Sequence, residues 1–133
     1  MTIFVDASAL IAMIAGEPEA DDLASRLEQA SPGLYSAVSA WEALAGLCRS
    51  YMFSVETARA TLDSFIEAAQ IRLAPIGEAE YRAATEAFSQ FGKGRHPAGL
   101  NMGDCFAYAC ARAHDGPLLF KGDDFVHTDV EAA

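Results

Sequence analysis

The chain has 133 residues, of which 52% are hydrophobic and 21% are charged, a composition typical of a single globular domain. Its 19 Asp and Glu residues outnumber the 9 Lys and Arg residues, and the net charge of −10 argues against a nucleic-acid binder that relies on a broad basic face. The 3 cysteines lack C-x-x-C spacing, the apolar runs are too short for a membrane span and no secretory leader opens the sequence, so we expect one cytoplasmic domain over residues 1–133 without disulfides or a zinc knuckle.

The first predicted element is a short run of β-branched and aromatic residues, 2–6, which indicates a buried strand that ends at Asp6. Residues 7–13 then have helical composition. Residues 20–29 carry apolar side chains at i, i+3, i+4 and i+7, which predicts an amphipathic helix. The chain therefore changes from strand to helix at an acidic residue.

A second strand is predicted over residues 34–37, and a helix follows it from Val38. In this helix Ser39 is predicted to be the N-cap, with Glu42 three residues later as its partner in a capping box. The second strand-to-helix junction therefore also carries an acid.

The rest of the chain continues this alternation, with a basic, glycine-containing loop at residues 92–99. The predicted elements are helices at 54–69 and 78–91, a strand at 71–76, a helix that begins at Asp104 and a last strand at 117–120. Strands separated by helices of this length indicate a parallel sheet with helices on both faces, which is the α/β class.

The strand-to-helix junctions of this sheet are acidic, and ligands of open α/β sheets bind beyond the carboxyl ends of the strands. The acids concerned are Asp6, Glu42, Asp104, Asp123 and Asp124. Each alone could be a helix cap or a turn residue, but capping does not explain why all of them belong to the same edge. Carboxylates gathered there would repel one another unless a cation lay between them, and Mg²⁺ or Mn²⁺ suits such oxygens. The pattern therefore predicts metal-assisted hydrolysis of a phosphodiester.

The same pieces of sequence resemble a known family. They are IFVDASAL at 3–10, WEA at 41–43, NMGDC at 101–105 and LLFKGDDF at 118–125. In this order and spacing they look like the PIN-domain ribonuclease toxins of the VapC type, over nearly the whole chain. The resemblance implies a three-layer α/β/α fold with a four- or five-stranded parallel sheet. It also implies a Mg²⁺- or Mn²⁺-dependent endoribonuclease, blocked by a small antitoxin protein and usually homodimeric.

Residue by residue, Asp6 and Asp104 match the family's most regular metal ligands. Glu42 matches the acid that binds or orients the metal, and Ser8 matches a small hydroxyl residue near the first aspartate, here expected to contact the substrate.

The fourth acid departs from the family's T-x-D or T-x-N pattern, because alignment on Phe125 places Gly122 at the usual acid position. We predict that Asp123 takes this role as catalytic residue and metal ligand, and Asp124 and Asp129 remain alternatives.

The chain has only two lysines, Lys93 and Lys121, and both lie beside the predicted acids in sequence, as does Arg95. Such a local cationic rim predicts contacts with an RNA backbone, or with an antitoxin, on a protein that is acidic overall. Solubilising a glycine loop would equally account for Lys93 and Arg95.

Several alternatives stay open. An apolar stripe is either core or a groove for an antitoxin helix or a second subunit; its members are Trp41, Leu44, Leu47, Tyr51, Met52 and Phe53. A non-catalytic, partner-binding PIN-like module is the main alternative function. A receiver-like phosphotransfer domain is disfavoured because no acid directly follows the third predicted strand, and the three histidines show no spacing that would pair them as acid and base.

Overall fold

The structure is a computed structural model that describes residues 2–30 and 32–133, and within these it contains four strands and six helices. They are β1 (Ile3–Val5), α1 (Ala7–Ala15), α2 (Ala20–Glu28), β2 (Gly33–Tyr35), α3 (Ala37–Tyr51), α4 (Val55–Ala69), β3 (Arg72–Leu73), α5 (Glu78–Phe91), α6 (Met102–Ala113) and β4 (Leu118–Leu119).

The strands form one parallel sheet in the order β3-β2-β1-β4. Phe4 on the central strand β1 pairs with Leu34 of β2 and with Leu118 of β4. Since all strands run in the same direction, their carboxyl ends meet at one edge. The predicted α/β/α architecture is confirmed, in its four-stranded form.

The core lies on both faces of the sheet, because successive side chains of a strand point to opposite sides. Phe4 packs into a cluster with apolar side chains of α5 and α6. Its neighbours Ile3 and Val5 pack into a second cluster with side chains of α1, α2, α3 and α4. All three residues of β1 are buried, so the strand that leads to Asp6 is fixed from both sides.

Helices α1 and α3 approach each other closely at Gly46 of α3. A methyl group on Gly46 would overlap the side chain of Ile11 in α1. This contact holds together the two helices whose first turns lie next to Asp6 and Glu42.

The cap of α3 differs from the prediction. Ser36, in extended backbone directly after β2, is the N-cap, and its hydroxyl accepts a hydrogen bond from the Ser39 amide at 3.2 Å. The Ser39 hydroxyl in turn accepts from the Ser36 amide at 2.9 Å. The predicted capping box of Ser39 with Glu42 is therefore wrong, because the strand ends two residues earlier than predicted and places Ser36 at the cap. Glu42 is left without a capping role.

The bounds of β3 and α6 also differ from the prediction. The third strand is confined to Arg72–Leu73, and α6 begins at Met102 with Asn101 as its N-cap, two residues before Asp104. Across residues 2–30 and 32–133, no helix is both long enough and apolar enough to cross a membrane.

The apolar stripe divides between core and surface. Leu47 is fully buried, whereas Trp41 is 66% exposed and Met52 is 87% exposed. Core packing is therefore the wrong interpretation for Trp41, which lies on α3, and for Met52, the C-cap residue that follows this helix.

Candidate active site

Asp6 lies where the central strand ends and α1 begins. Its Oδ2 accepts hydrogen bonds from the Ser8 amide at 3.0 Å and from the Ser8 hydroxyl at 2.6 Å, so it caps α1. The side chain is only 5% exposed. Burial raises the pKa of Asp6, against the lowering effect of the Ser8 hydrogen bonds, and the charge of Asp124 raises it further. The cap is therefore also a desolvated carboxylate that faces another acid.

Ser8 connects Asp6 to the segment that follows β4. Its hydroxyl oxygen accepts a hydrogen bond from the Lys121 amide at 3.0 Å while its proton is donated to Asp6. A continuous chain of hydrogen bonds thus runs from the Lys121 backbone through Ser8 to the Asp6 carboxylate. The geometry gives Ser8 an orienting role, and its predicted contact with substrate stays a prediction.

Asp104 is the third residue of α6 and takes part in its cap. The Asp104 amide donates to Asn101 Oδ1 at 2.9 Å, and the Asn101 amide donates to Asp104 Oδ2 at 3.1 Å. Burial nevertheless raises the pKa of Asp104 to about 6; the Asn101 hydrogen bond opposes this, and the charges of Asp124 and Asp6 add to it. Capping and proximity to other acids are therefore both properties of this residue.

Glu42 extends from α3 toward the start of α6. A methyl group on Gly103 would overlap both oxygens of the Glu42 carboxylate, so this carboxylate lies directly against the α6 backbone. Burial raises the pKa of Glu42 to about 7, with further contributions from the charges of Asp6 and then Asp104. No donor in residues 2–30 and 32–133 hydrogen-bonds the carboxylate. Glu42 is an acid without a structural partner.

The loop after β4 carries two adjacent exposed acids, Asp123 and Asp124. The charge of Asp124 is the one in this loop that raises the pKa values of Asp6 and Asp104. Gly122 has a φ of 96°, which redirects the backbone after β4, and Phe125 beyond the acids is 2% exposed in the core. Asp124 is therefore the acid of this loop that acts on Asp6 and Asp104, and the role of Asp123 as fourth acid stays a prediction. We call Asp6, Glu42, Asp104 and Asp124 the acid cluster.

Asp129, the other alternative, belongs to a separate site. Its carboxylate accepts a hydrogen bond from the Tyr108 hydroxyl and one from Arg112 at 3.3 Å. The Tyr108 hydrogen bond lowers the pKa of Asp129, and the Arg112 charge adds to this effect. Asp129 is thus a paired acid on the outer side of α6.

The predicted cationic rim is reduced to one loop. The Lys121 ammonium contacts Glu17 at 2.5 Å and Glu19 at 3.4 Å, so it is directed to the turn between α1 and α2 and not to an open rim. Two nearby carboxylates therefore offset the charge of Lys121, and its predicted contact with substrate stays a prediction. Lys93 and Arg95 lie on the loop between α5 and α6, and neither forms an ion pair with an acid of the described residues.

This loop ends beside the acid cluster. The Lys93 amide donates to Leu100 O and the Leu100 amide donates to Phe91 O, both at 2.9 Å, which closes the loop directly before α6. The guanidinium of Arg95 lies over the Phe88 ring, 5.2 Å from its centroid. The loop that carries Lys93 and Arg95 therefore leads directly into α6, the helix of Asp104.

The acid cluster offers only oxygen donors. No three His, Cys, Asp or Glu side chains in residues 2–30 and 32–133 already form a metal-binding group. Mg²⁺ is usually bound through one or two carboxylates and keeps several waters, so it does not need a preformed protein cage. Acids that raise one another's pKa in a partly buried cleft fit such an ion, because a cation would relieve their repulsion.

Comparison with known proteins agrees with this picture. Residues 3–131 match the PIN domain family. Over 126 residues the chain is 40% identical to ribonuclease VapC30 of Mycobacterium tuberculosis, covering 95% of this chain and 94% of that protein. The chain belongs to the VapC-type ribonucleases of the PIN-domain family. The resemblance seen in the sequence is thereby confirmed.

Solved PIN-domain structures share the fold of this VapC-type chain. M. tuberculosis VapC20, described as a sarcin-ricin loop cleaving toxin, superposes with a TM-score of 0.73 at 18% identity, over 98% of both chains. A chain of a toxin-antitoxin complex from Klebsiella pneumoniae superposes with a TM-score of 0.69 at 16% identity, over 98% of this chain and 96% of that one. At these identities the likeness concerns the fold alone.

Sequence reasoning missed two supports of this VapC-type site. Gly103 lies in the NMGDC motif at the start of a predicted helix. A glycine inside a helix costs about 1 kcal/mol relative to alanine, so its presence there was a signal for a close contact. Glu17 belongs to none of the predicted site motifs, yet its side chain is only 15% exposed and pairs with Lys121. No local pattern reveals that pairing, since the two residues are 104 positions apart.

Proposed function

We propose that this protein is the toxin of a toxin-antitoxin pair and that it hydrolyses RNA at the acid cluster with Mg²⁺ or Mn²⁺ as cofactor. The observation that supports this most directly is the raised pKa of Asp6, Glu42 and Asp104, which come from three different elements. Folded proteins normally pair buried acids with donors or cations. Acids that face one another in a cleft are typical of a functional site.

Asp6 and Asp104 are the residues that would hold the cation, with Asp124 completing the group. Ser8 fixes the orientation of the Asp6 carboxylate and Asn101 that of Asp104. When bound, the cation would make an attacking water more acidic and offset negative charge on the phosphate.

Glu42 is the acid that accepts the proton of the attacking water, since no donor in the described part of the chain occupies its oxygens. The water oxygen forms a bond to phosphorus as the bond from phosphorus to the 3′ oxygen breaks. The 3′ oxygen gains a proton from solvent, and the downstream RNA keeps a 5′-phosphate. No covalent intermediate with the protein is required.

Lys93 and Arg95 supply the cationic approach for the RNA backbone. Local positive charge of this kind acts over roughly a Debye length, about 8–10 Å at physiological salt, so a net charge of −10 does not prevent it. Binding through so few cations should weaken as salt rises.

The partner is a small antitoxin protein that blocks the acid cluster, as the assembly of the Klebsiella pneumoniae relative suggests by analogy. The active form is a homodimer, and the exposed side chains of Trp41 and Met52 offer apolar surface for either contact. We place the activity in the cytoplasm, where cellular RNA is found.

Cleavage of total cellular RNA by the purified full chain tests the proposal. Reactions contain Mg²⁺, Mn²⁺ or EDTA, and wild type is compared with Asp6→Asn and Asp104→Asn. We expect discrete fragments with 5′-phosphates that require metal, and a loss of about a hundredfold or more in either variant. Asp129→Asn is the matched control and should cleave like wild type.

The Asp104→Asn variant separates catalysis from capping, because asparagine keeps an oxygen that can accept from the Asn101 amide. Unchanged cleavage by this variant would reduce Asp104 to a helix cap. If wild type binds Mn²⁺ and yet cleaves no RNA, the non-catalytic partner-binding module becomes the better description.

A further inference from the structure

A second group of polar side chains, separate from the acid cluster, is centred on Glu17 in the turn between α1 and α2. Glu17 Oε1 accepts a hydrogen bond from the Lys121 ammonium at 2.5 Å, and Glu17 Oε2 accepts one from the Tyr51 hydroxyl. Glu19 approaches the same ammonium at 3.4 Å. We call these four residues the Glu17 hub. The Lys121 bond lowers the pKa of Glu17 most, followed by the Tyr51 bond, so the carboxylate is well solvated by protein donors.

The hub joins three segments that each carry a residue of the acid cluster. Glu17 follows α1, which begins next to Asp6. Tyr51 is the last residue of α3, the helix of Glu42. Lys121 precedes Asp124 by three residues in the loop after β4. The segments are joined across separations of 34 and 104 residues.

Lys121 reaches the acid cluster through its backbone as well. Its amide donates to the Ser8 hydroxyl at 3.0 Å, and that hydroxyl donates to Asp6 at 2.6 Å. Lys121 is therefore held at both ends, by Glu17 at its ammonium and by Ser8 at its amide.

Such anchoring is needed because the acid cluster opposes its own assembly. Asp6 and Asp124 both lie beyond the carboxyl ends of adjacent parallel strands, β1 and β4, and two carboxylates gathered at one edge repel each other. Asp124 is exposed and lies in the loop after β4, so this repulsion favours a movement of its side chain away from the other acids. An attachment at Lys121 opposes that movement from the start of the loop.

We propose that Lys121 is a positioning residue that, through Glu17 and Ser8, holds Asp124 and Asp6 close enough to bind one divalent cation together. This proposal rests on the proposed function of the acid cluster. It assigns the lysine to the arrangement of the metal ligands and not to contact with RNA.

The test compares Lys121→Met, Glu17→Gln and Lys121→Arg in the full chain. Arg82→Met, which breaks the exposed pair of Arg82 with Glu78 on α5, is the control. Three quantities are measured: Mn²⁺ affinity from the electron paramagnetic resonance of free Mn²⁺, kcat and KM for RNA cleavage, and the midpoint of thermal unfolding. Mn²⁺ binding does not depend on cleavage, so it reports on the ligands alone.

We expect Lys121→Met to weaken Mn²⁺ binding and lower kcat by about tenfold each, the usual size of effect for a residue that orients metal ligands. KM should stay within about twofold, because Lys121 does not contact RNA. Glu17→Gln should shift both quantities in the same direction. Lys121→Arg should restore most of the loss, and Arg82→Met should match wild type.

Two results would overturn the positioning role: a lower unfolding midpoint in Lys121→Met with wild-type Mn²⁺ affinity and kcat, or an Arg variant that is as defective as the Met variant. Failure of the proposed function looks different. Wild type would then bind Mn²⁺ without cleaving RNA, and the Mn²⁺ affinities of the variants would still decide the role of Lys121.

Discussion

The acids of this protein lie in two kinds of region, which differ in the groups that surround each carboxylate. Asp129 accepts hydrogen bonds from Tyr108 and Arg112, Glu17 accepts them from Lys121 and Tyr51, and the pKa of each is lowered by these donors. In the acid cluster the pKa values of Glu42 and Asp104 are raised by burial and by neighbouring acids. The acids of the first region are paired with a cation, whereas no acid of the acid cluster forms an ion pair within residues 2–30 and 32–133.

The difference shows how a functional acid can be told from a structural one. Neither net charge nor local sequence distinguishes Glu17 from Glu42, since both are glutamates in or next to a helix. What separates them is the set of groups around each carboxylate. An acid that keeps its charge without a protein donor or cation is open to an external one, and this is the property that a metal site requires.

After the Asp6 and Asp104 variants, the largest change is expected from Gly103→Ala, which fills the space of the Glu42 carboxylate. Glu42 must then leave its place among the acids, so cleavage should fall by about tenfold or more. The fold should be retained, because the end of a flexible side chain moves and alanine favours the helix by about 1 kcal/mol. RNA cleavage and thermal unfolding of the same sample measure the two effects.

Gly46→Ala is the matched control for that variant. Its new methyl group meets Ile11 in the core between α1 and α3, so it should lower the free energy of unfolding by about 1–3 kcal/mol and leave cleavage by the folded protein intact. Equal cleavage by Gly103→Ala and wild type would show that Glu42 does not act from its observed position.

A somewhat smaller change is expected from Asp124→Asn, and its neighbour Asp123 provides the comparison. Asp124 acts on Asp6 and Asp104, so its neutralisation should weaken Mn²⁺ binding and cleavage by up to about tenfold. Asp123→Asn should remain close to wild type in the same titrations. The reverse order would return the role of fourth acid to Asp123.

The two lysines differ in the same way as the two groups of acids. Lys121 forms ion pairs with Glu17 and Glu19, whereas Lys93 forms none with the described residues. Lys93→Met should raise KM for RNA severalfold at low salt, with kcat unchanged, because one backbone contact is lost. The difference from wild type should shrink as salt increases. A lower kcat with constant KM would instead place Lys93 within the catalytic step.

The smallest expected effect is a pH dependence of stability. The pKa of Glu42 is raised to about 7 and that of Asp104 to about 6, so the folded state holds these protons more tightly than the unfolded state. The stabilisation of the folded state by these two protons is complete below the unfolded-state pKa of about 4. It is lost as pH rises through about 6–7. The unfolding midpoint of the metal-free protein should therefore fall by several degrees between about pH 5 and pH 8.

Calorimetry in EDTA measures this dependence, and Glu42→Gln should remove much of it. Glu17 and Asp129 have lowered pKa values, so their stabilisation is lost only as pH falls through the acid range, outside this window. A midpoint that rises with pH would contradict the repulsion inferred for the acid cluster.

Much of the fold could be predicted from the sequence because it depends on local patterns. The helix predicted at 78–91 is observed as Glu78–Phe91, and the strand that ends at Asp6 is the central strand of the sheet. The prediction was wrong where two residues suited the same structural role. Ser36 and Ser39 both suit a cap, and the end of β2 decided between them.

The candidate site was predictable to a similar extent. The alternation of strands and helices assigns Asp6, Glu42 and Asp104 to the same edge of the sheet, whatever the details of packing. It does not distinguish Asp123 from Asp124, because adjacent side chains diverge according to the backbone angles of the turn at Gly122.

The sequence by itself therefore determined the fold class, the family and the edge at which the acids gather, since periodicity, caps and motif order act over short stretches of chain. Only the tertiary structure decided which acids face one another and which are paired. Lys121 contacts Glu17 rather than an open rim, and Glu42 lies against Gly103 rather than in a helix cap. Electrostatic interactions depend on distance in space, and packing brings together residues that are 104 positions apart in the chain.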